Sequence, residues 1–121
     1  MITFFLEIYH IINTAKIMNP NYNDKGLNTQ FSKISHFFKA LSHPIRLRLL
    51  DLLSKGPICV CELVPHFKIS QAALSKHLKI LIETDILGFN QEGKKNMYFI
   101  KQPQIAKLFE DVIKFIPKER T

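Results

Sequence analysis

Cysteine is scarce: the 121-residue chain has two, Cys59 and Cys61. Two cysteines cannot supply the framework of bridges that holds small secreted domains together. A Cys-x-Cys pair would close a small strained ring, so a mutual disulfide is not expected. The pair suits a reducing cytosol, and the expected location is cytoplasmic. Acidic residues are also in short supply, 10 against 17 Lys and Arg, for a net charge of +7. That surplus suits a polyanion, nucleic acid first, although a solvated basic surface has the same composition. Tryptophan is missing, yet ten Phe and 46% hydrophobic residues can fill the core of one domain. A domain this small is marginal alone and often gains stability by dimerising.

A long apolar run is missing too. The opening MITFFLEIYHIINTAKIM comes nearest, but Glu7 and His10 interrupt it. It has no positive start and no small-residue cleavage site, so it makes a poor signal peptide. It is too broken to span a bilayer, and no membrane partner is expected. Residues 1–17 are either an extra helix or a misassigned start before Met18. Nor is there a nucleophile–base constellation or a phosphate loop, and Cys-x-Cys lacks the Cys-x-x-Cys redox spacing. The chain is not expected to be an enzyme, and no cofactor is required.

What is present reads in order. Residues 1–30 form an N-terminal arm, with the linker-like NPNYNDKGLN from Asn19 to Asn28. The domain proper spans 31–116, and 117–121 is a charged tail. Phe31, Ile34, Phe38 and Leu41 recur at helical spacing. Pro44 suits the first turn of the next helix, where its missing N–H has no partner to lose. Ile45, Leu49, Leu52 and Leu53, widened by Leu47 and Leu50, predict a helix buried on most sides. Gly56-Pro57 stops it. A short helix from about Cys59 to His66 follows, then a tight turn. Ser70 is a good N-cap for a helix with Leu74, Leu78, Leu81 and Ile82 on one face. Two strand-like runs, ILGFNQE and KNMYFIK, flank Gly93-Lys94 as a hairpin wing. A last apolar helix carries Ile105, Leu108, Phe109, Val112 and Ile116. The predicted order is α-α-α-α-β-β-α, mainly helical with a β-hairpin, and two of the helices form a helix-turn-helix.

The strings FKALSHPIRLRLLDLL (Phe38 to Leu53), ICVCEL (Ile58 to Leu63), SQAALSKHLKIL (Ser70 to Leu81) and GFNQEGKKNMYFI (Gly88 to Ile100) resemble the ArsR/SmtB family of winged-helix repressors. The likeness covers about residues 31 to 116, in family order. It implies a cytoplasmic homodimer, joined through its first and last helices, that binds a palindromic operator and releases it when a metal or metalloid binds.

In such proteins the second helix of the helix-turn-helix enters the major groove. Ser70, Gln71, Ala72, Ser75 and Lys76 then match DNA-facing positions. Gln pairs with adenine edges, and Ser reaches a base or a phosphate. Lys76 and Lys79 suit phosphate, which adds affinity without sequence information. A merely solvated helix face is the plain alternative. His77, beside the apolar arc, either touches the DNA backbone or packs. Lys94 and Lys95 at the wing tip meet phosphate or simply form a solvated turn. His43 and Arg46 read as a helix cap and a charge that fixes the core.

Cys59-Val60-Cys61 lies where the family binds arsenite, antimonite or soft divalent ions, and thiolates are the ligands such ions prefer. A helix N-terminus favours the thiolate. On a regular helix residues two apart point about 200° apart, so one ion reaches both sulfurs only by distorting that turn. Distortion there would shift the reading helix. The alternative is that both are small buried hydrophobes. No third cysteine follows, because Val64 stands at that position, and the arm has none. Arsenite or antimonite, with an oxygen or exogenous thiol as third donor, fits two thiolates. Cadmium or zinc would need Glu62, His66 or His10. The last helix has Glu110 and Asp111 but no His, so the family's other metal site is not expected.

Three readings follow. The first is a repressor released by a thiophile at Cys59 and Cys61. The second is the same repressor answering to thiol oxidation, or to nothing small. The third is a membrane- or protein-interaction module working through the apolar N-terminal segment.

Overall fold

The fold was read from a computed structural model that describes residues 6–8, 10 and 25–118. Two units separate, Met1–His36 and Phe37–Thr121. In the first, residues 6–8 and 10 are helical. The extra helix expected over residues 1–17 otherwise lies outside the described residues, as do Asn19 to Asp24 of the expected linker and the last three residues of the tail.

Helix α1 spans Lys25–Leu41. It begins four residues before the expected Thr29, so Lys25 to Asn28 are helix and not linker despite Gly26. Residues 37–41 of α1 belong to the second unit, where Ala40 and Leu41 are buried. The chain breaks at Ser42-His43. His43 is extended (φ −156°, ψ 129°), and its Nδ1 accepts the Ile45 N–H at 3.1 Å. That bond satisfies one of the orphan donors at a helix start. Pro44 stands in the first turn of α2, Pro44–Leu53, as expected.

Leu49, Leu50 and Leu53 of α2 are buried. Leu47 is not, which corrects the expectation of a helix covered on most sides. It instead lines an apolar groove with Phe38 and, from the last helix and its C-cap, Val112 and Ile116. A pattern of leucines shows what can be buried, and the neighbouring elements decide which face is.

After Gly56-Pro57 the chain does something unexpected. Ile58–Cys59 is a two-residue strand, β1, which pairs antiparallel with the wing. Helix α3 is only Val60–Leu63, continued by a 3-10 turn over Val64–His66. Helix α4 runs Gln71–Glu83, capped by Ser70, whose Oγ accepts from Ala73 N at 3.1 Å. Asp85, at φ 61°, turns the chain out of α4. Asp tolerates this left-handed conformation better than most residues.

Strands β2 (Leu87–Glu92) and β3 (Lys95–Ile100) form the hairpin, and the sheet order is β1-β3-β2. Leu87 faces Ile100, Phe89 faces Tyr98, and Glu92 faces Lys95. The two-residue loop has a positive φ at Gly93, 62°, and not at Lys94. One positive φ at the first loop position is the signature of a type II′ turn, which suits strand twist. Gly88 is needed for another reason. A Cβ there would lie 2.6 Å from the Phe99 ring.

Helix α5 is Ile105–Phe115. Ile105 is buried, but Ile113, Phe115 and Ile116 stand in the open. The core is a leucine cluster of Leu49, Leu50, Leu63, Leu74, Leu78 and Leu81, closed by Ile86 and Leu87. Burying each such side chain contributes about 1.5–3 kcal/mol. Three of them belong to α4, so α4 is held by its inner face and presents its outer one. This is a winged helix-turn-helix: α3 and α4 with their turn, then the β2–β3 wing.

Candidate DNA-reading surface and thiol pair

The inner stripe of α4, Leu74, Leu78 and Leu81, is fully buried. Helical geometry then commits the opposite arc to solvent. Gln71, Ala72, Ser75, Lys76 and Lys79 are all exposed, as is the capping Ser70. The helix carries one carboxylate, Glu83, at its far end. Lys79 lies 3.8 Å from Glu83, an exposed pair that stabilises little. The arc is therefore small, polar and cationic. Lys94 in the wing turn and Lys95 at the start of β3 are exposed too.

His77 stands apart from that arc. It is half-buried, and its Nδ1 lies 3.2 Å from Nη1 of Arg46. Its ring centroid is 4.4 Å from that of His43. The ring is packed against Arg46 and His43. Burial first, then the neighbouring His43 and Arg46, hold its pKa below the ordinary 6.5.

Arg46 is 9% exposed, and no carboxylate meets it in the described structure. Its Nε donates to Ala40 O at 2.6 Å and its Nη2 to Lys39 O at 3.2 Å. These carbonyls belong to the last turn of α1, where backbone acceptors have no helical partner and the helix dipole favours a cation. The expectation of a charge that fixes the core is met in this form. The link to His77, 31 residues away, has no local signal in the sequence. An arginine set among leucines hints at it only faintly.

The thiols occupy different environments. Cys59 is 3% exposed, whereas Cys61 is on the surface. Cys59 is the N-cap of α3, in extended backbone (φ −69°, ψ 145°), and its sulfur accepts from Cys61 N at 3.2 Å. The structure joins the two as a disulfide, with Cα atoms 5.2 Å apart. This corrects the expectation that they would not pair. The separation of about 200° applies to two residues within a helix, and Cys59 lies just before one, so both side chains turn to the same side. The expected distortion of a helical turn is thus not needed to bring the sulfurs together. Cys59 also faces Met97 across β1 and β3, which ties the pair to the wing.

A thiophile fits this pair only in its reduced form. Two adjacent sulfurs can bridge one soft atom, with its third position open. Among the described residues no group of three or more His, Cys, Asp and Glu comes together. Glu62 and His66 therefore do not complete a zinc-type site, and a tetrahedral ion that needs four donors fits poorly. No helix among the described residues is long and apolar enough to cross a membrane. The segment behind the membrane- or protein-interaction reading lies mostly outside those residues.

Comparison with known proteins agrees with the winged helix-turn-helix fold. The pattern described as "Bacterial regulatory protein, arsR family" matches residues 43–87. The arsenical resistance operon repressor of Staphylococcus xylosus is 43% identical over 68 residues, 56% of this chain and 65% of that protein, a little under two thirds of its length. The protein of the same name from Bacillus subtilis is 31% identical over 73% of this chain and 85% of its own. Among solved structures, a homodimeric winged helix-turn-helix DNA-binding domain from Mycobacterium bovis superposes with a TM-score of 0.67. It is 24% identical, over 78% of this chain and 87% of that one, a likeness of fold.

Proposed function

The chain belongs to the arsR family of bacterial regulatory proteins, and on that footing we propose that it is a homodimeric transcriptional repressor, released from its operator when arsenite or a related thiophile bridges Cys59 and Cys61. The observation that carries the DNA part is the outer arc of α4. Gln71, Ala72 and Ser75 offer base and phosphate contacts, and Lys76, Lys79, Lys94 and Lys95 neutralise phosphate. A dimer would present two such helices to two half-sites of a palindrome. The apolar groove of about 390 Å³ between the end of α1, Leu47 and α5 supports dimerisation through the first and last helices. Phe115, 81% exposed, makes poor sense in a monomer.

The inducer part rests on the adjacent sulfurs and on the relatives named for arsenical resistance. In the reducing cytosol the pair is available as free thiols. Antimonite fits the same way, and cadmium and zinc fit less well for want of further donors. An ion on Cys59 and Cys61 would pull on the α3 cap and, through β1, on the wing. Both elements position DNA-contacting groups, so affinity falls.

The disulfide favours a second reading: the same repressor, switched by oxidation of the pair. A gel-shift titration on DNA from the chain's own upstream region tests the repressor itself. The expected result is a complex at nanomolar protein that weakens steeply with salt. Binding no tighter than to unrelated DNA would overturn the reading.

A further inference from the structure

Arg46 donates from all three of its nitrogens, two into the C-terminal carbonyls of α1 and one into His77 of α4. Guanidinium has no acceptor and does not lose its proton in proteins. The Nδ1 of His77 must therefore be the acceptor, so it carries no hydrogen, and the neutral ring carries its proton on Nε2. The Nδ1 of the neighbouring His43 accepts the Ile45 N–H. The two rings lie tilted against each other, with centroids 4.4 Å apart, beside one buried cation.

We propose that Arg46 and neutral His77 are positioning residues for DNA reading: the bond between them fixes the DNA-reading helix α4 against α1 and α2. This rests on the repressor reading above. Leucines alone hold a helix to a core while leaving it some freedom to rotate and slide, since hydrophobic packing is not directional. A charge-assisted hydrogen bond is directional. This one ties the middle of α4 to the end of α1, the helix assigned to the dimer. The setting of each reading helix is thereby referred to the dimer, which is what two half-sites at a fixed spacing demand.

The tie holds only while His77 is neutral. Protonation removes the acceptor and sets a second cation against Arg46. The groups facing the ring are Arg46 and His43, both from the start of α2. The flanking Lys76 and Lys79 on its own helix are exposed. Acidification therefore loosens α4.

The test uses the full, reduced chain with native, His77→Asn and His77→Phe forms. Asn keeps an acceptor close to the Nδ1 position and does not titrate. Phe keeps a ring and has no acceptor. Long-range proton–nitrogen spectra should show the His77 ring as the Nε2–H tautomer at neutral pH. Operator affinity is then measured by anisotropy from pH 7.5 to 5. The native-to-Asn ratio cancels pH effects common to both forms. That ratio of Kd should rise as pH falls, by about tenfold for each chain bound at one pH unit below the His77 pKa, where about a tenth of the rings stay neutral. At pH 7.5 His77→Phe should bind at least tenfold more weakly than His77→Asn. A ring protonated on Nδ1, a ratio that stays flat, or a ratio that falls because His77 cation grips phosphate would each overturn the proposal. Absence of specific DNA binding by the native protein at every pH would overturn the repressor reading, and this one with it.

Discussion

The two cysteines should respond unequally to truncation in stability and equally in function. Consider Cys59→Ala and Cys61→Ala, both kept under reductant at one protein concentration. Cys59 is 3% exposed, and its sulfur caps α3 through Cys61 N at 3.2 Å. Removing a buried atom the size of a methylene costs about 1 kcal/mol. Losing an N-cap costs about 0.5–2 kcal/mol, and a weak sulfur acceptor belongs at the low end. The sum is about 1.5–2 kcal/mol. Cys61 is exposed, so its loss should stay within about 0.5 kcal/mol, and alanine is the better helix former. With a urea slope of about 1.5 kcal/mol/M, the Cys59→Ala midpoint should fall by about 1 M while that of Cys61→Ala hardly moves. On DNA both variants should bind and neither should release with arsenite. Equal loss of stability would refute the burial asymmetry. Release by arsenite from Cys61→Ala would refute a site built on two sulfurs.

Other outcomes follow from the same structure. Lys76→Ala should lower the slope of log affinity against log salt by about 0.9 for each chain bound, read by anisotropy between low and moderate salt. Gly88→Ala should destabilise by about 1–3 kcal/mol in urea unfolding, because its Cβ meets the Phe99 ring at 2.6 Å. The lowered pKa of His77, from burial and then from His43 and Arg46, makes the folded state bind its proton less readily than the unfolded chain. Stability from this ring is complete above the unfolded value of 6.5 and falls as pH drops toward the folded value. Melting temperature should therefore decline on acidification more in the native chain than in His77→Asn.

Much of this fold was legible because its signals are local. Pro44 and the His43 cap, Ser70 before α4, and Gly93 in the wing each act within a few residues, and each falls where the sequence places it. The period of the leucines in α4 identified its inner face and, by difference, its exposed arc. What was illegible depends on distant partners. Strand β1 is two residues long, and only β3, some 40 residues on, makes it a strand. Leu47 looks like a core residue, and its exposure is set by where α5 lies. The pairing of Cys59 with Cys61 turned on one backbone conformation, that of the cap. The Arg46–His77 bond joins helices 31 residues apart, and no spacing rule reaches that far.

The most direct test of the central claim is a fluorescence-anisotropy titration of the reduced protein on DNA from its own upstream region. Arsenite, antimonite, cadmium and zinc are added separately, with the Cys59→Ser/Cys61→Ser form run in parallel. The account predicts release of the native protein by arsenite or antimonite, weaker effects of cadmium and zinc, and no release of the double variant. Tight binding that no ion disturbs, or equal release of both forms, would contradict it.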